Sequence, residues 1–215
     1  LSACLERHNG CNNRTSFRPE RLIDLTGRNP RLRLESQLVE NEYIEYATLS
    51  HCWGKPQTRS CQLTTLTLVD VMSVIPLEKL SKNFRDAIAI CKELKIQYIW
   101  IDSLFIIQRD AADWAAESIT MVNVYGGGIL NISASGASDG SQGCFFDRKD
   151  MRRCQFPLKI NKYKHVLYDS YLHCPLEARG WTLQERLLSP RAVHFTRTEV
   201  FWECNTQFVS ESSPF

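Results

Sequence analysis

"NFRDAIAICKELKIQYIWIDSLFIIQRDAADWAAESITMVNVYGGGILNISAS", residues 83–135, decides the fold class. Its first part sets Phe84, Ala87, Ile88, Cys91 and Leu94 at helical spacing, with Ser81 or Asn83 as the cap. "QYIWID" (97–102) follows at once as an apolar, buried strand. "DAADWAAESITMVNVY" (110–125) predicts a second helix with Trp114, Met121, Val122 and Tyr125 on one stripe. Asp110 or Asp113 starts that helix, and Gly126, Gly127 and Gly128 stop it. "ILNISAS" (129–135) is a further apolar strand. Upstream, "YIEYATLSHCWG" (43–54) alternates and then turns apolar, as a strand does on entering a core, and ends at Gly54 and Pro56. Strand, helix, strand, helix, strand with short links predicts a parallel sheet with covering helices.

Working outward, "RLIDL" (21–25) and "LRLES" (32–36) flank the turn-like "TGRNP" and predict a hairpin. Downstream, Gly136, Gly140 and Gly143 mark a loop, "KHVLYDS" (164–170) reads as a strand and "WTLQERLL" (181–188) as a short helix. "RAVHFT" (191–196) and "EVFWEC" (199–204) read as a closing hairpin. Residues 1–20 are polar and unpatterned, and read as a leader. The expected plan is therefore α/β: that leader, then a single domain over 21–215. Its parallel core covers about 42–135, with β-rich additions at the N- and C-terminal ends, the latter about 160–205.

Composition excludes several classes. Among 215 residues, 43% are hydrophobic and 23% charged, as in ordinary globular proteins. A net charge of +2 implies neither a nucleic-acid nor an anionic-membrane surface. No apolar run approaches the roughly 18 to 20 residues of a membrane helix, and no signal-peptide order is present, so a cytoplasmic location is expected. Nine cysteines, at 4, 11, 52, 61, 91, 144, 154, 174 and 204, include no CxxC pair. Reduced structural thiols are expected, with no disulfide framework, zinc ribbon or other metal site. The chain opens on Leu1 rather than Met and closes on Phe215, which predicts a fragment of a longer protein.

Ligands of open parallel sheets sit beyond the carboxyl ends of the strands, where helix N-termini and polar side chains meet. Those ends carry Ser50, His51, Cys52, Trp53 and Gly54, then Asp102 and Ser103, then Ser133 and Ser135. A carboxylate inside an apolar strand is costly unless it is hydrogen-bonded or tuned for work, which singles out Asp102. Glu117, just after Trp114, is the second candidate: two carboxylates at one crevice can divide acid and base work or hold ribose hydroxyls. The helix dipole alone also favours a Glu there.

In "ARGWTLQERLLSPR", Arg179, Gln184, Glu185 and Arg186 alternate with apolar anchors and so could reach a site. Arg179 suits a phosphate or carboxylate, because its planar fork binds either bidentately. Thr182 with Glu185 equally fits a capping box. "YGGGIL" is a helix stop and no GxGxxG. His51 and Cys52 are adjacent on a strand and point to opposite faces, which disfavours a thiol nucleophile. His165, His173, Cys154 and Cys174 are expected to be structural.

"YATLSHCWG", the run from "IPLEKLSKNF" through "GGGILNISA", and "RGWTLQERLLSPRAVHFT" resemble, in order and spacing, the three blocks of the HET (heterokaryon incompatibility) domain of filamentous fungi. The resemblance covers roughly residues 20–205. It implies fungal origin and a role in non-self recognition leading to programmed cell death. HET domains are regarded as distant relatives of TIR domains, which implies a flavodoxin-like core. Some TIR domains cleave NAD at the nicotinamide ribosyl bond with a Glu just after a Trp, and "DWAAE" looks like that segment, with Glu117 in the catalytic place. Two residues, Ala115 and Ala116, separate Trp from Glu here, where the TIR pattern has three. Phe105 stands where the family usually has Cys, which removes a thiol mechanism there, and His51 stands where it has an aromatic Tyr.

The resemblance and the residues together yield an enzyme reading, hydrolysis of NAD or a related nucleotide with no cofactor and no metal. Glu117 and Asp102 are its catalytic residues. Ser50, His51, Trp53, Gly54, Ser103, Trp114, Arg179, Gln184 and Glu185 are its substrate-binding set. The competing reading is a non-catalytic death-signalling module that self-associates and answers an upstream sensor domain or protein. A metal-dependent nuclease fits less well, since the acidic residues are not clustered in the sequence. Membrane and nucleic-acid partners are not expected.

Overall fold

The structure is a computed structural model and describes residues 1–12, 15–38, 43–54, 63–64, 67–107, 110–147 and 174–213. In chain order its elements are α1 (Ser2–Arg7), β1 (Arg21–Asp24), β2 (Arg31–Leu34), β3 (Tyr46–Ser50), α2 (Leu68–Ser73), α3 (Lys82–Glu93), β4 (Tyr98–Trp100) and α4 (Asp102–Phe105). They continue with α5 (Ala111–Gly127), β5 (Leu130–Ser133), α6 (Thr182–Leu188), β6 (Arg191–Phe195), β7 (Val200–Cys204) and β8 (Phe208–Ser210). The strand expected at 164–170 lies outside the described residues.

The periodicity of the 83–135 stretch holds. Ser81 caps α3, its hydroxyl accepting from the Phe84 N–H at 3.3 Å, and Phe84, Ala87, Ile88 and Cys91 form the buried face. Asp110 caps α5 through the N–H groups of Ala112 and Asp113, and the helix runs to Gly127. The buried stripe of α5 is not the expected one. Trp114 and Val122 are exposed, and Glu117, Val124 and Tyr125 face inward. On that face Glu117 meets the guanidinium of Arg21 on β1 at 3.0 Å, beside the apolar Val124 and Tyr125.

The eight strands among the described residues join one sheet in the order β2-β1-β4-β3-β5-β6-β7-β8. The centre, β4-β3-β5-β6, is parallel, with Ala47 registered against both Ile99 and Leu130. The β1–β2 hairpin closes one edge antiparallel and β7–β8 the other, so the expected β-rich ends extend a single sheet. Numbered by chain order alone, the four parallel strands read 2-1-3-4, the start of the flavodoxin-type order, whose switch point lies between the first and third strands. Here those are β3 and β5.

The core joins Leu49, Ile99, Ile132 and Phe84 with a ring group in which Trp100 stacks on Phe105 and meets Tyr125 edge-on. Phe105 therefore serves packing. Residues 2–11, expected as part of an unpatterned leader, form α1 and a following 3-10 turn, with Cys4 and Cys11 buried.

α6 is tied to the closing hairpin. Arg186 donates to both oxygens of Glu203 at 2.6 and 2.9 Å, and His194 Nε2 lies 3.0 Å from the same carboxylate. These partners outweigh burial and hold the Glu203 carboxyl down at about 2. A depressed acid adds stability above its unfolded value of 4.5 and loses it as pH falls towards 2. At a carboxylate 28% open to solvent, screening leaves about 2 kcal/mol. Urea unfolding at pH 7 is therefore expected to show Glu203→Gln less stable by that amount. The gap should close between pH 4.5 and 2.

Candidate active site at the carboxyl ends of the parallel strands

β3 and β5 are buried along their whole length yet carry Thr48, Ser50, Asn131 and Ser133. Across the switch point Ser50 Oγ lies 3.1 Å from Asn131 Nδ2 and Thr48 Oγ1 lies 3.2 Å from Asn131 Oδ1, while at the end of β5 the Ser133 and Ser135 hydroxyls are 2.9 Å apart. The polar layer leads to the strand ends.

Asp102 opens α4 immediately after β4. Its Oδ1 accepts the Ser103 N–H at 2.7 Å, and its Oδ2 accepts Trp53 Nε1 at 2.8 Å. Trp53 is brought there by Gly54, whose φ of 69° lies in the left-handed region that favours glycine. His51 Nδ1 stands 3.7 Å from Asp102 Oδ1, too far for a hydrogen bond. The imidazole is stacked parallel to Trp53 and edge-on to Phe84, and burial pushes its pKa down, which keeps it neutral. Arg179, in the half-buried segment after the 3-10 turn Pro175–Ala178, donates to the His51 carbonyl.

Glu185 completes the group from α6. Thr182 does not cap this helix; its hydroxyl donates to the Leu176 carbonyl at 3.1 Å, and the N-cap is Trp181 without a side-chain bond. No capping box forms, so the Glu185 side chain is free to turn inward. It is only 3% exposed. Burial, with the negative charge of Asp102 second, pushes its pKa up to about 7, against smaller opposing effects of Ser50, Arg179 and Tyr125. Tyr125, also buried, feels the charges of both Glu185 and Asp102, and its own ionisation is pushed far up. The Ser50 and Tyr125 hydroxyls are close enough to influence Glu185, but neither makes a well-aligned bond with it. Accordingly Glu185 Oε2, Tyr125 Oη, His51 Nδ1 and Ser103 Oγ are all buried without a hydrogen-bond partner among the described residues. Orphaned polar atoms are rare in folded proteins, and an unpartnered oxygen of Glu185 with three more such atoms around Asp102 and Glu185 marks a place built for something polar.

Glu117 belongs to a second group. Arg21 Nη2 lies 3.0 Å from Glu117 Oε1 and 2.5 Å from Asp113 Oδ1, with Glu20 at 3.4 Å. Glu117 is buried and Asp113 half-buried against one guanidinium, and the Glu117 carboxyl is pushed up to about 7, chiefly by burial and in spite of Arg21. The charges that act on Glu117 are those of Arg21, Glu20 and Asp113, whereas Asp102 acts on Glu185. Of the expected site residues, the structure thus brings together Ser50, His51, Trp53, Asp102, Ser103, Arg179 and Glu185. It leaves Trp114 and Gln184 exposed on the helix surfaces and gives Glu117 to Arg21. Tyr125 and Asn131 are additions. The signal for Asn131 was present, an amide inside the apolar "ILNIS"; Tyr125 reads as core, because nothing in a sequence shows a buried hydroxyl left unpartnered.

A cavity of about 350 Å³ opens at the other end of the sheet, between Leu5, Tyr43, Gly128 and Arg191 at the amino ends of β5 and β6. No helix among the described residues is long and apolar enough to cross a membrane. A family model described as Heterokaryon incompatibility protein (HET) matches residues 46–185, a span that contains the whole carboxyl-end group. No curated protein and no solved structure matches the chain.

Proposed function

The chain belongs to the heterokaryon incompatibility (HET) family, and from that premise we propose that it is an effector domain hydrolysing NAD or a related nucleotide at the N-glycosidic bond. The observation that supports this reading is the pairing of Asp102 with a Glu185 that stays neutral to about pH 7, at the switch point of a parallel sheet. In the reaction the bond between ribose C1′ and the ring nitrogen breaks, and its electron pair leaves with neutral nicotinamide. Water adds to C1′ and releases a proton. Asp102 faces the cationic sugar and takes that proton. Glu185 donates a hydrogen bond to a ribose hydroxyl, with Ser50 and Tyr125 beside it. Trp53 offers a ring to stack on, and Arg179 offers a cation for the pyrophosphate.

Incubating the purified chain with NAD, dilute and concentrated, and measuring nicotinamide by chromatography tests this. Activity is expected in the wild type, a loss of about 10²-fold or more in Asp102→Asn, and retention in Glu117→Gln. Should Glu117→Gln lose turnover while keeping its fold and Asp102→Asn retain it, the assignment moves to the Arg21 group. No nicotinamide at any concentration rejects the enzyme.

A second reading, a self-associating signalling module, is favoured by one observation. The adjacent helices α5 and α6 expose Trp114, Ile119, Val122, Leu183 and Leu187, with Trp181 exposed at the N-cap of α6. Light scattering that shows a mass rising with concentration, abolished by Trp181→Ser with Leu187→Ser, supports it.

A further inference from the structure

Cys4, His8, Cys11 and Cys204 each present one ligand atom, and these atoms all lie within 4.8 Å of one another. We propose that this cluster is a structural zinc site that fastens the N-terminal segment to the closing β-hairpin. Three thiolates and one imidazole are a recurrent zinc set. Zn–S bonds of about 2.3 Å in a tetrahedron put ligand atoms roughly 3.8 Å apart, so the present spacing needs shifts of only a few tenths of an ångström each. Cys204 Sγ and His8 Nδ1 are already at 3.4 Å.

Local structure assembles the set. Cys4 and His8 stand four residues apart at the end of α1, on one face, with the His8 N–H bonded to the Cys4 carbonyl at 3.0 Å. The 3-10 turn Asn9–Cys11 then carries Cys11 back to them, and Cys204 arrives at the end of β7. A six-residue helix is too short to hold itself together in water, so something else must fix it.

The surroundings fit a thiolate cluster. Arg191 Nε donates to Cys4 Sγ at 3.3 Å, and Thr206 Oγ1 lies 3.6 Å from Cys11 Sγ. Asn205 Nδ2 donates to the Gly10 carbonyl at 3.1 Å, which braces the turn. Such outer contacts orient and tune metal ligands. Arg191 is buried, and among the described residues its guanidinium meets Cys4 and Asn12 but no carboxylate. A dication with three thiolates and a neutral imidazole carries one negative charge, which balances that arginine. A disulfide explains the group less well, since it joins two of the three thiols and leaves the histidine and the arginine unaccounted for; all three cysteines are free in the structure. Thiolate with imidazole selects zinc over the oxygen-seeking cations. The absence of a CxxC pair argued against a metal in the sequence, but the spacing here is C-x3-H-x2-C, and its last ligand comes from the far end of the chain. All four residues lie outside the family-matched span 46–185.

The purified chain, dialysed against metal-free buffer, is expected to retain about one zinc per molecule by mass spectrometric metal analysis. Cys204→Ser and His8→Ala are expected to lose it, and Cys91→Ser, which alters a buried thiol elsewhere, to keep it. Exchange with Co²⁺ reads the ligands without any variant: intense tetrahedral d–d bands with thiolate charge transfer are expected, so the proposal stays testable if the variants misfold. A chain that retains no zinc and shows no such cobalt spectrum overturns the site. So does a Cys4 to Cys204 disulfide in non-reduced peptide mass spectra, or zinc content unchanged in both ligand variants.

Discussion

Glu185→Ala is expected to lower NAD turnover by about 10²- to 10³-fold, the usual effect of removing a hydrogen-bond donor aimed at a reacting group. Glu185→Gln is expected to behave differently, and the difference is diagnostic. An amide still donates but cannot ionise. The wild type should therefore lose kcat about tenfold per pH unit above about 7, as Glu185 gives up its proton, and the glutamine variant should show no such limb.

Stability should move the opposite way. An acid whose pKa rises on folding, here from 4.5 to about 7, adds its full stability below 4.5 and loses it as pH climbs through 7. At pH 8 the wild type then holds a buried charge it would rather expose, a penalty of about 3 kcal/mol at most. Glu185→Gln is expected to be the more stable protein at pH 8 by about 2–3 kcal/mol, with the advantage gone by pH 4.5. A variant that is less stable at pH 8, or a wild-type rate that rises through pH 7, sinks the role given to Glu185. A residue that weakens the fold at working pH fits the pattern expected of an active site.

Arg21→Met should be among the most damaging single changes elsewhere, costing about 3–5 kcal/mol at pH 8. The guanidinium is the shared counter-ion of Asp113 and Glu117, at 2.5 and 3.0 Å, and without it two carboxylates from α5 face β1 with no cation. Protonation of Glu117, whose carboxyl is pushed up to about 7, relieves its charge, so the loss should shrink towards pH 5. The double variant Arg21→Met, Glu117→Gln is expected to recover at least 1 kcal/mol of the single loss, since the two side chains are in contact and non-additive. Chemical denaturation of the four members of the cycle measures this. Additive losses, or an Arg21→Met cost below 1 kcal/mol, show that the contact does not hold α5 to the hairpin. The Glu185 variants and this cycle are together expected to separate the two carboxyl groups, the first changing turnover and the second stability alone.

How far these distinctions were legible depends on the range of the interaction involved. α3, α5 and the strand at 129–135 are local patterns, with Ser81 and Asp110 as caps, so composition and spacing predict them. Asp102 could be singled out because its neighbours in the chain are apolar, and a charge in such a run demands a reason. In the sequence Glu185 is indistinguishable from a capping-box residue, because what frees it is the bond of Thr182 to Leu176, a partner outside the helix. The inward face of α5 is not legible locally, because the buried partner of Glu117 is Arg21, 96 residues away.

What the sequence by itself determined is the alternation of strands and helices, the placing of polar residues at strand ends, and kinship with the HET family, because each of these is written in neighbouring residues or in ordered blocks. Tertiary structure alone decided which carboxyl groups meet. Coulomb and desolvation energies depend on distances through space and on the exclusion of water. Both are set only when β1, α6 and the closing hairpin fold onto the sheet.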